Sequence, residues 1–447
     1  MVGFGAEVER RAEAVRLVRD EGLTMVAAAA RVGRTRQWLA KWLERVDAGE
    51  GLGDRSRVSS TSFQPLGDEV VALVLEYRNR LEADLMASSG GLAILAAMER
   101  DGLAPPALRS IERIMTVHGR SRPLTKKRSR STVPVLPLPK VKGRPGVWQQ
   151  GDWVQNRYLT GGVRYDSLQT IDVGSQAGIA RQYQDRKVLN VVECLIEHVW
   201  PVLSIPYAFS VDNAFSSTTH RDNPWTLFIR TCLFFGVEPV ISPPYELGWT
   251  NTVEGFNNLW QARTIAQHRY DTREALAAHS TLFNTWANHQ RPILDPGICG
   301  TRYPAELTGQ HRTNLTWPPD LFITDHQDSK GRLHIPLTAG RLTFLRRVKQ
   351  RHITIAHRPW HIDLPDHALV IASVTTSDAT LTLRHQAQTI TTHNYPIHQP
   401  ISTPLQDTPT HQHLPPRVND PQAVIDDLQH VNHPPAGYPY CLLIAAY

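Results

Sequence analysis

One short apolar stretch, residues 205–215, constrains the fold of this chain more than any other feature. Its first part has the composition of a buried β-strand, and Asp212 stands at the carboxyl end of that predicted strand. Strand ends of this kind are where α/β folds bind their ligands. A second acid, Asp152, interrupts the strand-like residues 149–154, and a third, Glu254, lies in the first turn of a predicted helix. The pattern predicts that the three carboxylates meet in one α/β domain.

Each acid also has a plainer interpretation. Asp152 fits an exposed position at a sheet edge, and Asp212 fits a turn or a helix cap. Glu254 fits a capping box with Asn251. Because all three acids fall in one predicted domain, on two strands and one helix, we favour convergence over these three separate explanations.

Three converging carboxylates predict a metal site. Hard cations prefer carboxylate oxygens, and two Mg²⁺ ions about 4 Å apart neutralise the charge that develops during phosphoryl transfer. The sequence therefore predicts two Mg²⁺ ions, for which Mn²⁺ can substitute, held by Asp152, Asp212 and Glu254.

Composition is compatible with a polyanionic partner. The 447 residues carry a net charge of +6, although a solvated basic surface is common and does not by itself indicate nucleic acid. No signal core or membrane-spanning run is recognisable, so we expect a cytoplasmic protein, associated with the nucleoid, that does not contact membranes. The cysteines match no zinc spacing and are expected to be reduced: Cys194, Cys232, Cys299 and Cys441.

Residues 1–50 predict a helix-turn-helix DNA-binding domain. The last of three predicted helices places Trp38, Leu39 and Trp42 on one apolar face, with Thr35 as its N-cap. Its other face and the preceding turn carry the predicted DNA contacts Arg34, Arg36, Gln37 and Lys41. An ordinary three-helix bundle with solvated basic residues is the alternative.

Residues 64–119 repeat this helical plan and predict a second helix-turn-helix-like domain. Its last helix would present Arg109 and Arg113 outward, towards DNA. A packing module without base contacts explains the pattern equally well.

Residues 120–146 form a basic, Pro-rich linker that contains no acidic residue. Such a segment cannot bury a core and is expected to be extended. We predict that Lys126, Lys127 and Arg128 contact phosphates, with a purely solvated linker as the alternative.

An α/β pattern occupies residues 147–310, where three strands precede alternating helices and strands, the order found in an RNase H-like sheet. Short strand signals at 341–348, 352–357, 368–374 and 380–385 predict a small, basic β-barrel over residues 335–395. Residues 396–447 are rich in Pro and His and are predicted to be ill-ordered. The predicted fold class is therefore multidomain: N-terminal all-α helix-turn-helix units, a central α/β RNase H-like catalytic core and a C-terminal small β-barrel.

Three motifs carry a family resemblance, namely WQQGD at 148–152, VDNAF at 211–215 and NTVEGFN at 251–257. Together they resemble the motifs of bacterial insertion-sequence transposases with a retroviral-integrase-like DDE catalytic core. The resemblance implies that the three acids ligate metal, that water frees the 3′ ends of an element, and that those ends attack target DNA. It also implies that double-stranded DNA, as element ends and target, is held by a homo-oligomer.

Asn258 and Arg263, on the helix that carries Glu254, are further predicted DNA contacts. Two other functions stay open at this point. One is a catalytically decayed or domesticated relative that only binds DNA, and the other is a metal-dependent nuclease that cuts without joining.

Overall fold

The computed structural model of the protein describes residues 4–54, 66–121, 141, 143–216, 224–243, 249–295, 300–308, 333–386 and 388–402. The chain divides into two compact units, Met1–Gly67 and Asp68–Tyr447. The predicted phosphate contacts Lys126, Lys127 and Arg128 lie outside the described residues, as does most of the segment 396–447.

Three helices build the first unit: α1 Phe4–Arg19, α2 Met25–Arg31 and α3 Arg36–Asp47. Gly33, at φ +68°, makes the turn between α2 and α3. Thr35 caps α3 by accepting a hydrogen bond from the backbone N–H of Trp38, which satisfies one of the N–H groups that every helix start leaves unpaired. The helix-turn-helix prediction is confirmed, and its core consists of Ala14, Leu17, Ala28, Ala29 and Leu39.

The second unit contains helices on both sides of one large sheet. The helices are α4 Asp68–Ala83, α5 Gly91–Arg100, α6 Leu108–Val117, α7 Val188–Glu193, α8 Trp200–Leu203, α9 Leu227–Phe234, α10 Asn251–Arg263, α11 Arg273–His289 and α12 Pro304–Thr308. A π-helical segment, Cys194–Val199, joins α7 to α8, and a 3₁₀ turn, Asn213–Ser216, follows β4. No helix in the described ranges is both long enough and apolar enough to cross a membrane.

The strands are β1 Trp148–Tyr158, β2 Arg164–Asp172, β3 Gly178–Tyr183, β4 Ala208–Val211, β5 Glu238–Ile241, β6 Ile293–Asp295, β7 Gly300–Arg302, β8 Arg341–Arg347, β9 His352–Ile355, β10 Arg358–His361, β11 Leu369–Thr375, β12 Thr380–His385 and β13 Gln388–Asn394. Nine of them form a single sheet in the order β13-β12-β11-β8-β5-β4-β1-β2-β3. Strands β1, β2 and β3 are antiparallel neighbours, whereas β1, β4 and β5 run parallel. This is the mixed central sheet that the sequence predicts for residues 147–310.

The C-terminal strands extend this sheet, and the closed barrel predicted for residues 335–395 is not seen among the described strands. Strand β8 pairs in parallel with β5, and β11, β12 and β13 follow in antiparallel order. Pairing with β8 covers the edge that β5 would otherwise expose. The buried carboxylate of Glu238 strengthens this junction by accepting hydrogen bonds from Arg341 and Thr343.

A separate hairpin, β9 with β10, packs on one face of the extended sheet. Its Trp360 stacks on Tyr395 with ring centroids 6.1 Å apart, and Ile353 and Ile355 join the same core. The sequence does not predict β10, which contains Pro359, or β13, whose residues are mostly exposed and polar.

At the opposite edge of the sheet, two asparagines of α11 protect β3. Asn288 Nδ2 donates to Gly178 O at 3.0 Å, and its Oδ1 accepts from Gly178 N at 2.8 Å. Asn284 makes the same pair of bonds with Ala180. The backbone N–H and C=O groups of Gly178 and Ala180 are thereby satisfied within the protein, which blocks pairing with another chain at these two positions.

Replacing Gly178 with alanine is expected to destabilise the second unit. The added Cβ would lie 2.6 Å from the ring of Phe256 and 2.9 Å from Thr170 O, so α10 would have to move away from the sheet, at a cost of roughly 1–3 kcal/mol. Urea unfolding, followed by tryptophan fluorescence, measures the change.

Gly255→Ala is the matched control for this substitution. A Cβ at Gly255 meets no atom within 4 Å, and alanine favours the helix interior by roughly 0.5–1 kcal/mol. Equal stabilities of the two variants would show that the contact between α10 and β3 is looser than described here.

Candidate active site

Strands β1 and β4 bring the first two acids to one face of the sheet. They pair in parallel with Gln150 opposite Ser210, and continuing this register by two residues sets Asp152 beside Asp212. Neighbouring strands lie about 4.8 Å apart, and every second side chain points to the same face. A hydrogen bond of 2.9 Å from Trp148 Nε1 to Ser210 Oγ lies on this face and links the first paired residue of β1 to the last paired residue of β4.

Helix α10 lies across the same face and carries the third acid. The side chain of Gln150, which is fully buried, donates from Nε2 to Trp249 O at 2.8 Å and accepts from Val253 N at 3.2 Å. These two contacts flank the start of α10. They therefore fix its first turn, and with it Glu254, over β1.

Glu254 is exposed at the N-terminus of α10. Its Oε1 accepts a 2.6 Å hydrogen bond from Thr250 Oγ1, and Thr250 is the N-cap residue. The capping box with Asn251, considered from the sequence, is not formed, because the glutamate bonds to the hydroxyl of the cap and not to a backbone amide. The helix dipole favours a negative charge at this end.

The environment of Asp152 disfavours its negative charge. Its pKa is raised to about 6, first by burial and further by the negative charges of Asp212 and Glu254. Hydrogen bonds from Trp153 N and Asn257 Nδ2, each 2.8 Å long, oppose this rise. Because both other acids raise the pKa of Asp152, the three carboxylates share one electrostatic environment in which like charges repel.

Within the described ranges, no group of three or more His, Cys, Asp or Glu side chains is assembled that could hold a metal ion. Asp152 and Glu254 instead accept hydrogen bonds from the neutral groups of Asn257 and Thr250. A carboxylate oxygen can accept more than one bond, so both acids keep capacity for a cation. As a donor set, three carboxylates fit Mg²⁺, which prefers oxygen ligands.

Asn257 is a site residue that sequence reasoning misses. It is buried at 7% exposure and contacts Asp152 directly, whereas the predicted Asn258 is exposed, one turn beyond Glu254. The sequence does contain a signal for this residue. Asn257 is a polar residue next to Phe256, on the face of α10 that packs on the sheet. A polar side chain in such a stripe needs a buried partner.

Arg263, predicted to contact DNA, is engaged within the protein. Its Nη1 donates to Leu85 O at 3.1 Å, and its guanidinium lies 5.6 Å from the ring centroid of Trp286. These contacts fasten the loop between α4 and α5 to the C-terminal end of α10. DNA would have to compete with them for the same side chain.

The predicted contacts in the first unit lie on the exposed face of its helix-turn-helix. Arg36, Gln37 and Lys41 are exposed on α3. Arg34, just before the helix, donates from Nη2 to Glu7 Oε2 at 3.0 Å. The exposed face of α3 is therefore available to a partner, while Arg34 has an acidic neighbour within its own unit.

Helix α6 of the second unit is strongly amphipathic. Arg109 and Arg113 are exposed, as the sequence predicts. Ile111, Ile114 and Met115 are buried on the other side. The helix therefore presents a basic face, although this does not distinguish a DNA contact from a solvated surface.

Comparisons with known proteins support the broad outline. A family described as a homeodomain-like domain matches residues 6–54. No curated protein matches the chain.

Three solved structures show a remote similarity to this chain. The HTLV-2 integrase catalytic core domain in complex with magnesium is 13% identical, covering 37% of this chain and 97% of that chain at a TM-score of 0.28. The simian T-cell lymphotropic virus intasome in complex with PP2A regulatory subunit B56 gamma is 13% identical, covering 68% of this chain and 95% of that chain at a TM-score of 0.33. The catalytic core domain of BIV integrase is 18% identical, covering 37% of this chain and 95% of that chain at a TM-score of 0.27. Likeness this remote assigns no role to any residue of this chain.

Proposed function

We propose that this protein is a DDE-type DNA transposase, which cleaves the 3′ ends of an insertion element and joins them to target DNA. The observation that carries the proposal is the parallel pairing of β1 with β4, with Gln150 opposite Ser210, together with the contact that fixes the start of α10 over Gln150. Continued by two residues, this register would bring Asp152 next to Asp212, beneath the helix start that carries Glu254. The raised pKa of Asp152, which responds to both other acids, supports it. The order of the five strands from β3 to β5 further supports an RNase H-like core.

Asp152, Asp212 and Glu254 would hold two Mg²⁺ ions, for which Mn²⁺ can substitute. When bound, the ions would neutralise the charge on the scissile phosphate and lower the pKa of the attacking water or 3′ hydroxyl. Gln150 fixes the start of α10 against β1, and Asn257 orients the carboxylate of Asp152. The protein thus supplies geometry and negative charge, which are what phosphoryl transfer requires of it.

DNA recognition would begin with the first unit. Arg36, Gln37 and Lys41 on α3 would read base edges in the major groove, with Arg34 near phosphate. Arg109 and Arg113 on α6 would contribute a second basic face, and Asn258, exposed next to Glu254, would contact DNA at the site. We further propose that the active species is a homo-oligomer assembled on paired element ends.

Two other functions make different predictions for one experiment. A decayed or domesticated relative would bind element ends without changing them, whereas a nuclease would cut without joining. An assay that joins a labelled element end to a plasmid, with Mg²⁺ or with EDTA, separates all three. The DNA that flanks the gene supplies the end sequence.

Alanine at Asp152, Asp212 or Glu254 is expected to reduce joining to the uncatalysed background, because each substitution removes one carboxylate from the cation site. Binding of the labelled end, measured by gel shift, should persist, since it depends on the first unit. Glu274→Ala is a matched control, because Glu274 is also an acid in the first turn of a helix, α11. Joining that survives substitution of any one of the three acids would remove that residue from the proposed site.

Asp152→Asn is expected to stabilise the metal-free protein while abolishing activity. The folded-state pKa of Asp152, about 6, lies above the ordinary value of 3.8, so the folded protein binds a proton that the unfolded chain releases between these values. The free energy of unfolding therefore falls as pH rises through this window. Asparagine does not ionise, so the variant does not lose this free energy of unfolding as the pH rises. It should be more stable than the wild type by about 1–2 kcal/mol near pH 8, after allowance for partial solvent exposure.

Urea unfolding in EDTA, near pH 4 and near pH 8, measures this difference. A cation that binds only the folded state raises the free energy of unfolding. Adding Mg²⁺ should therefore stabilise the wild type but not the variant, which lacks one carboxylate of the proposed site. Asp185→Asn is the control, because a hydrogen bond from Lys187 lowers the pKa of Asp185 and its loss should not stabilise the fold. A metal-free Asp152→Asn protein that is less stable than the wild type near pH 8 would contradict the idea that burial and its acidic neighbours disfavour the charge of Asp152.

A further inference from the structure

Arg346, on the C-terminal strand β8, reaches the ends of β4 and β5 from inside the protein. It is buried at 6% exposure. Its Nη2 donates to Asn213 Oδ1 at 2.7 Å, and its Nη1 donates to Ser242 O at 3.1 Å and to Leu345 O at 2.8 Å. Its Nε donates to Thr354 O at 3.0 Å on β9. One guanidinium therefore connects the residue after Asp212 with the residue after β5.

The partners of Arg346 are unusual for a buried arginine, because each of these acceptors is a neutral oxygen. Removing a cation from water costs several kcal/mol, by rough estimate, and an ion partner usually offsets part of that cost. Arg341, at the other end of the same strand, has such a partner in Glu238, which its Nη2 contacts at 2.6 Å. The ion pair of Arg341 with Glu238 thus stabilises one end of the junction between β5 and β8. Arg346 lies at the other end, next to the turn after Asp212, and its position there suggests a role beyond stabilising the junction.

The contacts around Asp212 suggest what Arg346 does. Ser242 donates from its backbone N and from Oγ to Val211 O, at 2.9 and 3.0 Å, so the ends of β4 and β5 are tied together. Arg346 holds Ser242 by its carbonyl and Asn213 by its side chain. Asp212 lies between these two fixed points, Val211 and Asn213.

We propose that Arg346 is a positioning residue for Asp212, through which the C-terminal strands take part in the proposed reaction. This inference rests on the proposed function of the acidic site. Among the described residues, neither Asp152 nor Glu254 accepts a hydrogen bond from Arg346. Arg346 acts instead on the turn that follows Asp212, through Asn213. The Arg346 end of β8 would then support the proposed site.

Arg346→Gln and Arg346→Lys test this role, with Arg341→Gln as the matched control on the same strand. Arg346→Gln should raise the Mg²⁺ concentration needed for half-maximal joining by roughly 10- to 100-fold, as is typical when a residue that orients a metal ligand is lost. Arg346→Lys, whose ammonium keeps the charge and donates to fewer acceptors, should recover part of this loss. Arg341→Gln should lower the stability of the junction without changing the Mg²⁺ requirement.

Asn213→Ala removes the acceptor of the hydrogen bond that Arg346 donates to Asn213. Asn213 is exposed, so this variant is expected to fold even if Arg346→Gln does not. The Mg²⁺ requirement should rise in Asn213→Ala, and the double variant Arg346→Lys with Asn213→Ala should show less than the sum of the two effects, since the pair shares one interaction.

Hydrogen exchange of residues 212–216 in the metal-free protein gives a readout that does not depend on activity. Exchange should be faster in Arg346→Lys and Asn213→Ala than in the wild type, and unchanged in Arg341→Gln. If the wild type fails to join DNA but exchange responds in this way, the proposed function is wrong and the positioning role stands. Equal effects of Arg341→Gln and Arg346→Gln on exchange and on the Mg²⁺ requirement would overturn the positioning role, as would no effect of Arg346→Lys and Asn213→Ala on either.

Discussion

The parallel pairing of β1 with β4 is the interaction on which the candidate site depends. With Gln150 opposite Ser210, continuing the register by two residues would bring Asp152, on β1, and Asp212, just after β4, to one face. A slip of one residue would send one acid to the opposite face of the sheet. The fully buried Trp148 resists such a slip, because its indole N–H bonds to Ser210 and its ring packs edge-on against Trp249, 5.9 Å away.

A second constraint joins the sheet to the helix that carries Glu254. Gln150 on β1 and Asn257 on α10 are both buried polar side chains. Their contacts join β1 to two points of the helix about one turn apart, Val253 and Asn257. Burying an amide without partners is costly, so each contact penalises any other placement of the helix. Apolar packing between Phe256 and Gly178 brings the helix close to the sheet. These polar contacts, and a 2.6 Å hydrogen bond from Arg157 Nη2 on β1 to Gln261 Oε1 on α10, specify its position along β1. Together they place Glu254 within electrostatic reach of Asp152, as the pKa of Asp152 reflects.

The sequence predicts the parts of this arrangement that local patterns determine. Apolar runs and turn residues indicate β1 to β5 and α10. An acid within a strand, an acid after a strand and an acid in a first helical turn make Asp152, Asp212 and Glu254 the candidate site residues. The residues that hold them together are not predicted, because Gln150 and Asn257 find partners about 100 positions away, and Arg346 reaches Asn213 across 133 positions. The same limit explains the C-terminal strands: local alternation predicts strands there, but pairing with the distant edge of β5 decides that they extend the sheet.

That extension changes how the C-terminal strands relate to the site. One end of β8 is fixed by the ion pair between Arg341 and Glu238, which is remote from the acids. The other end places a buried cation behind the turn after Asp212. A strand secured only at the first end would leave that turn to its own 3₁₀ hydrogen bonds, which are few and weak. In the part of the chain that the structure describes, Arg346 has neutral oxygens as its hydrogen-bond acceptors, and the rigidity that it would give to Asp212 accounts for this buried cation, since a metal site tolerates little movement of its ligands.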